Sequence, residues 1–403
     1  MRSTQGWVAH RSAAEGSAPD GSAADGSAAE HAAAGARATL HREAVERRDL
    51  RADDVAVRVD YCGVCHSDLH ALRDHGGRSA GGDEAAGASA AAAAAADETA
   101  EATDGGSSVP LVPGHEFIGV VTEIGPEVQR FAIGDVVAVG NIVDACLVCD
   151  MCTAGQENFC REFPTLTYGG VDRRDGRPTL GAYAREYVVR EEFAHRVPEG
   201  LDPSAAAPLL CAGITVWEPL TALEVGPGVR VAVVGLGGLG HLAVKLATAL
   251  GAETTVISRS AGKLEDARQL GAADLLVSGD GPAMAAARGR FDVIVDTVAV
   301  SHELAPYLEL LALDGTLAQV GYLGPVTVET TDLLLGRKKL TSAGSGGMAK
   351  TAQLLEFCAE HGVVADVEVL PSSQVGEALD RLARGDVRFR FVLDMSDLDV
   401  DPS

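Results

Sequence analysis

Short runs of residues typical of β-strands recur along the first half of the chain, and turn residues bound each run. These runs cover residues 55–61, 117–124, 136–139 and 183–189. Short runs of apolar and β-branched residues between turn signals are typical of β-strands. The pattern therefore predicts a first domain built mostly of β-strands.

From about Gly226 the pattern changes to buried strands that alternate with helices. The run "VRVAVVG" predicts a strand, and apolar residues at helical spacing over 239–250 predict a helix. Further strands are predicted in "TTVIS", "DLLVS", "FDVIVDTV" and "GTLAQVG". This alternation is typical of a doubly wound parallel sheet. After it we expect a helix near 351–361 and a last strand in "VRFRFVLDM" that returns to the first domain.

Two segments interrupt these patterns, at about residues 12–36 and 76–108. Both consist of Ala, Gly, Ser and acidic residues with almost no large apolar side chain. They cannot bury enough surface to offset the entropy lost on ordering, so we expect mobile surface loops. The remainder of the 403 residues is long enough for two domains.

Composition and charge narrow the class of protein. The formal net charge of −25 argues against nucleic acid and anionic membranes as partners, because both attract basic surfaces. The chain has no apolar run of about 18 residues and no recognisable leader, so the cytoplasm is the expected location. Its eight cysteines are clustered, which favours metal binding over disulfides.

The glycine-rich run "GLGGLG" joins the first strand of the alternating region to its helix. In this position Gly235 permits a tight turn, Gly237 lets a pyrophosphate approach the backbone, and Gly240 allows close packing of helix on strand. Gly238 and Leu239 complete the turn. The run predicts a dinucleotide-binding site, whereas a purely structural glycine turn is the alternative.

The end of the next strand bears on which dinucleotide would bind. The acidic residue that holds the 2′-hydroxyl of NAD is missing there, and Ser258, Arg259, Ser260 and Lys263 follow instead. Two cations and two hydroxyls suit a 2′-phosphate, so NADP is favoured over NAD. The alternative is that Arg259 and Lys263 are solvated surface charges.

Four cysteines lie close together at 146–160 in the run "CLVCDMCTAGQENFC". Four thiolates at this spacing can enclose one ion, and an all-cysteine set is typical of structural zinc. Bacterial ferredoxins share the C-x2-C-x2-C beginning, but their fourth cysteine follows after three residues and precedes proline. The spacing therefore predicts a structural zinc lobe held by Cys146, Cys149, Cys152 and Cys160.

The stretch "YCGVCHSDLH" has three interpretations: a redox dithiol, half of a zinc knuckle, or one metal ligand beside an unrelated cysteine. A catalytic zinc needs three protein ligands and one open position, and two cysteines with one histidine is an attested set. "VPGHEF" supplies His115 as a candidate ligand, and "PLLCAGITVWEPL" supplies Cys211 where the two predicted domains join.

With these motifs in order, the chain resembles the medium-chain zinc-dependent alcohol dehydrogenases, closest to the cinnamyl alcohol dehydrogenase-like branch. "YCGVCHSDLH", "VPGHE", the four-cysteine run, "LLCAGITVWEPL", "GLGGLGH" and "GDVRFRFVLDM" carry the resemblance. It implies an α/β protein with a GroES-like catalytic domain over 1–211, a Rossmann cofactor domain over 212–344 and a C-terminal return over 345–403. It also implies two zinc ions per subunit.

The resemblance also implies roles for single residues. It makes Cys65, His115 and Cys211 the ligands of the catalytic zinc. It makes Ser67 the hydroxyl that hydrogen-bonds the alcohol oxygen, and His70 the outer end of a proton relay. A solvated surface histidine is the alternative for His70.

Four further residues have implied roles beside the zinc and the cofactor. Asp68 matches the carboxylate that orients the ligand histidine, with helix capping as the alternative. Glu116 matches the acid beside that histidine. His66 and Arg390 match contacts to the cofactor pyrophosphate, although a surface position remains the alternative for His66.

The implied activity is hydride transfer between a primary alcohol or aldehyde, aromatic or aliphatic, and NADP(H). The runner-up is an NAD-dependent alcohol or polyol dehydrogenase of the same fold, and a zinc-binding interaction protein or a dithiol redox protein are the alternatives outside the class. The resemblance implies a homodimer or homotetramer. The second insertion roughly doubles the usual spacing between Cys65 and His115, yet we expect both ligands to converge because loop closure entropy grows slowly.

Overall fold

The computed structural model describes residues 1–10, 37–76, 110–321 and 324–400. The two predicted insertions, 12–36 and 76–108, lie outside the described residues except for Gly76, which ends a helix. The described residues form one seven-stranded sheet, one six-stranded sheet and two sheets of two strands each.

The strands are, in chain order, β1 (Arg2–Ala9), β2 (Leu40–Arg47), β3 (Asp54–Val64), β4 (Phe117–Ile124), β5 (Val136–Val139), β6 (Ile142–Asp144), β7 (Thr165–Leu166), β8 (Glu186–Arg190), β9 (His195–Arg196), β10 (Arg230–Val234), β11 (Glu253–Ser258), β12 (Asp274–Val277), β13 (Phe291–Asp296), β14 (Leu311–Gln319), β15 (Lys339–Ser342), β16 (Val367–Pro371) and β17 (Arg390–Asp394). The α-helices are α1 (His66–Gly76), α2 (Asp150–Thr153), α3 (Pro203–Ala206), α4 (Ala212–Ala222), α5 (Gly240–Ala249), α6 (Leu264–Gln269), α7 (Gly281–Ala286), α8 (Ala305–Leu308), α9 (Thr330–Leu334), α10 (Met348–His361) and α11 (Val375–Ala383).

The seven-stranded sheet contains the strands that were predicted in the first half of the chain. Its order is β16-β17-β3-β4-β5-β9, and β8 also pairs with β3. Along β3 the residues Val55, Val57 and Val59 are fully buried, and Ala56 is buried as well, so this part of the strand is covered on both faces. The prediction of a β-rich first region is therefore confirmed.

One predicted strand of this sheet begins later than the pattern suggests. The prediction started at residue 183, whereas β8 starts at Glu186. The backbone of Tyr183 is engaged elsewhere, because its N–H donates to the Pro113 carbonyl at 2.9 Å and its carbonyl accepts the Trp7 N–H at 2.7 Å. Residue 183 therefore joins the segment before β4 to the N-terminal hairpin.

The six-stranded sheet is parallel and has the order β12-β11-β10-β13-β14-β15. Residues 231–234 of β10 are buried, and α5 packs Leu242, Ala243 and Leu246 into the same core. The strand order reverses on either side of β10, at the position where such sheets bind their ligands. The predicted doubly wound sheet is confirmed.

The last part of the chain returns to the first sheet, as predicted. Helix α10 packs Leu354, Leu355 and Cys358 into the core that also holds α4 and α5. Strand β17 then pairs antiparallel with β3, with Val392 opposite Gly63 and Leu393 opposite Cys62. The predicted domain boundaries at 211 and 344 remain predictions.

Within the described ranges, no single helix is long and apolar enough to cross a membrane. The bent pair Pro203–Leu210 and Ala212–Ala222 reaches the required length and composition only when both helices are taken together.

Candidate active site

Three side chains from distant parts of the chain lie close together, between the elements of the seven-stranded sheet and the helix that follows Cys211. Cys65 follows the end of β3, His115 precedes β4, and Cys211 lies just before α4. The Sγ atoms of Cys65 and Cys211 are 3.9 Å apart, and His115 Nε2 lies 3.3 Å from Cys211 Sγ. Tetrahedral zinc with bonds of about 2.3 Å to sulfur requires about 3.8 Å between two sulfurs. The arrangement fits a zinc ion with three protein ligands.

The thiol of Cys65 is prepared for metal binding by its surroundings. Its hydrogen bond with Cys211 lowers the pKa of the Cys65 thiol well below its ordinary value, although burial opposes the shift. The deprotonated thiolate is the form that binds metal. The spacing of ligand atoms and the favoured thiolate therefore point to the same chemistry.

Asp68 is fully buried, and it forms hydrogen bonds with the segment that carries Cys65 and with the segment that carries His115. Its Oδ1 accepts hydrogen bonds from His115 Nδ1 at 3.1 Å and from the Gly114 N–H at 3.0 Å. Its Oδ2 accepts the Cys65 N–H at 2.9 Å, which caps the start of α1. The capping role and the orienting role that the sequence offered as alternatives are thus performed by one carboxylate.

Two buried tyrosines border the cluster, and no sequence motif indicated either of them. Tyr183 donates its hydroxyl to Asp68 Oδ2 at 3.1 Å, and the ring of Tyr168 stands edge-on to His115 at 5.6 Å. Burial, followed by the charge of Asp68, raises the pKa of Tyr168 well above its ordinary value. Neither tyrosine lies near a ligand in sequence, so no spacing signal could have found them.

Ser67, His66 and His70 lie on α1 beside the cluster. Ser67 is exposed, and its Oγ lies 3.7 Å from Cys65 Sγ. His70 follows three residues later and is half-buried, so both side chains share one side of the helix. His66 is exposed at the first residue of α1. The structure therefore brings Ser67 to the metal cluster, whereas the roles of the two histidines remain predictions.

Glu116 and Arg390 form a buried ion pair between the cluster and the glycine turn. Arg390 Nη2 donates to Glu116 Oε1. Burial raises the pKa of Glu116 to about 7, although the charge of Arg390 opposes the shift. On its other side Arg390 borders Gly238, where an added Cβ would come within 3.1 Å of the arginine Cδ. Arg390 therefore touches both the zinc-ligand segment and the glycine turn.

Two buried polar atoms of this ion pair are left for other partners. Glu116 Oε2 and Arg390 Nε have no hydrogen-bond partner among the described residues. An unpaired buried polar atom is costly, which favours a further polar group at this place. Arg390 Nε is a donor that a phosphate of a cofactor at the glycine turn would accept, whereas Glu116 Oε2 is an acceptor that requires a donor.

The glycine turn has the geometry that a dinucleotide needs. Gly235 adopts a φ of 87°, and its N–H donates to the Ile257 carbonyl at 2.9 Å. An added Cβ on Gly240 would lie 2.0 Å from the Gly235 carbonyl oxygen, whereas one on Gly237 would meet open space. The tight turn and the close helix packing agree with the sequence prediction. Leu239 is the residue before α5.

The residues proposed for the 2′-phosphate lie beside this turn, because β11 is parallel and adjacent to β10. Ser258 ends β11, and its Oγ accepts the Ser260 N–H at 3.2 Å. Ser260 Oγ in turn caps the next turn by accepting the Gly262 N–H at 3.2 Å. Arg259 and Lys263 are exposed, and Lys263 Nζ lies 3.5 Å from Asp266 Oδ2. The hydroxyls are therefore partly used in the turn, and the cations face solvent.

The four-cysteine lobe is closed around one point. The ligand atoms of Cys146, Cys149, Cys152 and Cys160 all lie within 4.8 Å of one another, and the Cys146 and Cys152 sulfurs are 3.8 Å apart. This spacing fits a tetrahedral ion with four thiolate ligands and no open position.

Cys62 does not share the environment of Cys65. It lies fully buried on β3 opposite Phe117 and Leu393, and burial raises the pKa of its thiol well above the ordinary value. A redox dithiol needs a reactive thiolate, which burial disfavours. The geometry therefore favours one ligand beside a packed thiol in "YCGVCHSDLH".

Two family models and several known proteins match this chain. Residues 51–199 match the family model described as alcohol dehydrogenase GroES-like domain, and residues 238–360 match the one described as zinc-binding dehydrogenase. The chain is 42% identical over 362 residues to the probable formaldehyde dehydrogenase AdhA of Bacillus subtilis (strain 168), covering 90% of this chain and 95% of that protein. It is also 42% identical over 361 residues to NADP-dependent alcohol dehydrogenase C 1 of Mycolicibacterium smegmatis, covering 89% and 95%.

A solved structure of an alcohol dehydrogenase also matches this chain. The cinnamyl alcohol dehydrogenase SbCAD4 of Sorghum bicolor matches with a TM-score of 0.80 and 37% identity, covering 98% of each chain. The similarity extends across both sheets and the predicted fold class is confirmed. The chain belongs to the medium-chain zinc-dependent alcohol dehydrogenases, in their cinnamyl alcohol dehydrogenase-like branch.

Proposed function

We propose that the protein interconverts primary alcohols and aldehydes with NADP(H), using a zinc ion held by Cys65, His115 and Cys211. One observation carries the proposal: the ligand atoms of these residues lie within 4.8 Å of one another beside the glycine turn. Arg390 spans the two sites. The NADP-dependent relative of Mycolicibacterium smegmatis and the cinnamyl alcohol dehydrogenase of Sorghum bicolor support the choice of cofactor and substrate class.

The two metal sites have different roles in this proposal. The first has three protein ligands, so a fourth position is open to substrate, as catalysis requires. The second has four cysteine ligands, which suits a structural zinc. The protein would therefore hold two zinc ions per subunit.

The residues around the proposed catalytic zinc have separate roles: some transfer the proton and others position the ligands and the cofactor. When bound, zinc supplies Lewis-acid polarisation of the substrate oxygen, and the nicotinamide supplies the hydride chemistry. Ser67 Oγ accepts the proton of the alcohol as its own hydroxyl proton moves outward, and His70, further along α1, is the outer end of this relay. Asp68 holds the His115 ring, while Arg390 and the glycine turn bind the pyrophosphate.

Turnover with a panel of aromatic and aliphatic aldehydes tests this proposal. We expect reduction with NADPH, and we expect Ser67→Ala to lower kcat by roughly 100-fold or more because the proton path is lost. Zinc content should be unchanged in that variant. Ser373→Ala removes an exposed hydroxyl elsewhere and should leave kcat unchanged. Absence of turnover with every aldehyde and both cofactors would contradict the proposal.

Replacing Arg259 and Lys263 tests the choice of cofactor. In Arg259→Ala/Lys263→Ala we expect KM for NADPH to rise about tenfold or more, because charge-assisted hydrogen bonds to the 2′-phosphate are lost. KM for NADH should change little. Arg268→Ala, an exposed cation on α6, is the control. Preference of the unmodified protein for NADH would refute this part and favour the NAD-dependent runner-up.

Asp68→Asn tests the support of the proposed catalytic zinc. The amide offers one acceptor oxygen in place of two, so the hydrogen bonds to one side of the cluster are lost. We expect affinity for this zinc to fall by about 10-fold to 100-fold, with the zinc of the four-cysteine lobe retained. Metal analysis during dialysis against a chelator measures both. Asp60→Asn on the preceding strand β3, which alters the ion pairs with Arg58 and Arg185 away from the cluster, should behave like the wild type.

We also propose that the protein assembles through the outer edge of β15, which pairs with no further strand among the described residues. This strand ends the six-stranded sheet, and nearby Leu313, Leu334 and Leu335 are 68%, 69% and 72% exposed. An exposed strand edge beside apolar side chains favours pairing with a second copy.

The cytoplasmic location expected from the sequence stays a prediction.

Light scattering after size exclusion measures the assembly. We expect a mass of two or four chains, and a lower mass for Leu334→Ser/Leu335→Ser because the apolar contact is lost. Ile133→Ser, which removes an exposed apolar side chain of the other domain, should leave the mass unchanged. A monomeric wild type would exclude the assembly.

A further inference from the structure

Tyr183 is fully buried, and its hydroxyl reaches the carboxylate that supports the proposed zinc ligands. We propose that Tyr183 is a positioning residue for the catalytic zinc, acting through Asp68 and the turn that precedes His115. The inference rests on the ligand set of the proposed function and adds a residue to it.

The first line of support is the hydrogen bonding of Asp68. Its Oδ2 accepts both the Tyr183 hydroxyl at 3.1 Å and the Cys65 N–H at 2.9 Å, while its Oδ1 serves Gly114 and His115. A carboxylate with donors on both oxygens has one preferred rotation. The tyrosine hydroxyl is the second donor to Oδ2, beside the Cys65 N–H, and it further restrains the plane of the carboxylate and through it the ring of His115.

The second line of support is the contact of the Tyr183 ring with Gly114. Gly114 adopts a φ of 94°, and an added Cβ there would lie 2.5 Å from Tyr183 Cδ1. The ring therefore packs directly on the peptide that leads into His115. Glycine is required because a side chain would occupy the space of the ring.

The backbone around Tyr183 strengthens this contact. Tyr183 N–H donates to the Pro113 carbonyl at 2.9 Å, and Ala182 N–H donates to the Gly114 carbonyl at 2.8 Å. On the opposite side the Tyr183 carbonyl accepts the Trp7 N–H at 2.7 Å. Tyr183 is thus held on both sides, and it holds the segment 113–115 against Asp68.

Tyr187 provides a matched comparison four residues later. It is also buried, and its hydroxyl donates to the Thr167 carbonyl at 2.9 Å rather than to Asp68. Tyr183→Phe and Tyr187→Phe each remove one buried hydroxyl from the same part of the fold. A role in general packing predicts similar effects for both, whereas a positioning role predicts an effect on the catalytic zinc for Tyr183 alone.

The test follows the release of zinc to a chelator from the full-length protein. In the wild type we expect two zinc populations, and in Tyr183→Phe we expect the catalytic zinc to leave about 10-fold faster with the lobe zinc unchanged. Cobalt placed in the catalytic site should show a shifted visible spectrum in this variant. Tyr187→Phe should match the wild type in both measurements.

A double-mutant cycle identifies the route of the effect. In an Asp68→Asn background, Tyr183→Phe should add little to zinc release, because the two residues act through one hydrogen bond. Additive effects would overturn the inference, as would equal zinc release from Tyr183→Phe and the wild type. Joint loss of both zinc ions in Tyr183→Phe would show a role in general stability and would also overturn it. A wild type that holds only the lobe zinc would refute the proposed function itself, together with this inference.

Discussion

The carboxylate of Asp68 is the group on which the geometry of the site depends. A buried ionised carboxylate is unfavourable unless its oxygens receive hydrogen bonds, and here the donors come from different segments. Cys65 N–H lies at the start of α1, and Gly114 and His115 lie before β4. Satisfying one carboxylate therefore brings two of the three metal ligands together, even though the predicted insertion lies between them in sequence.

A second buried charge connects this site to the cofactor domain. Arg390 comes from the strand that returns to the first sheet, and it lies between Glu116 and Gly238. Breaking one partner of a buried ion pair is strongly destabilising, because it leaves the other charge uncompensated. The pair thus ties the metal-ligand segment, the C-terminal strand and the glycine turn into one arrangement.

The four-cysteine lobe supports the position of a zinc ligand without being part of the proposed catalytic zinc site. Glu157 Oε2 accepts the Met348 N–H at 2.9 Å, which attaches the lobe to the start of α10. Helix α10 packs against α4, where the ring centroids of Trp217 and Phe357 lie 4.7 Å apart with their planes tilted by 41°, and α4 begins just after Cys211. The lobe therefore supports the helix pair that carries the third ligand.

Short apolar, β-branched runs bounded by turns and the helical spacing of apolar residues were sufficient to predict both sheets, because burial selects apolar residue types that the sequence records. The four-cysteine lobe was equally predictable, since its ligands are close in sequence. The start of β8 was predicted too early, because Tyr183 bonds to Pro113 and Trp7 instead of continuing the strand. That pairing depends on segments that the local pattern does not include.

Sequence by itself determined the periodicity of each element, the glycine turn and the candidate ligands, because these depend on residue type and short spacing. Motif order added the family. Only the tertiary structure decided that Cys65 faces Cys211 while Cys62 faces the core, and that Tyr183 reaches Asp68. The physical reason is that these contacts join residues far apart in the chain, and their choice depends on how strands pair and which side chains must satisfy a buried charge.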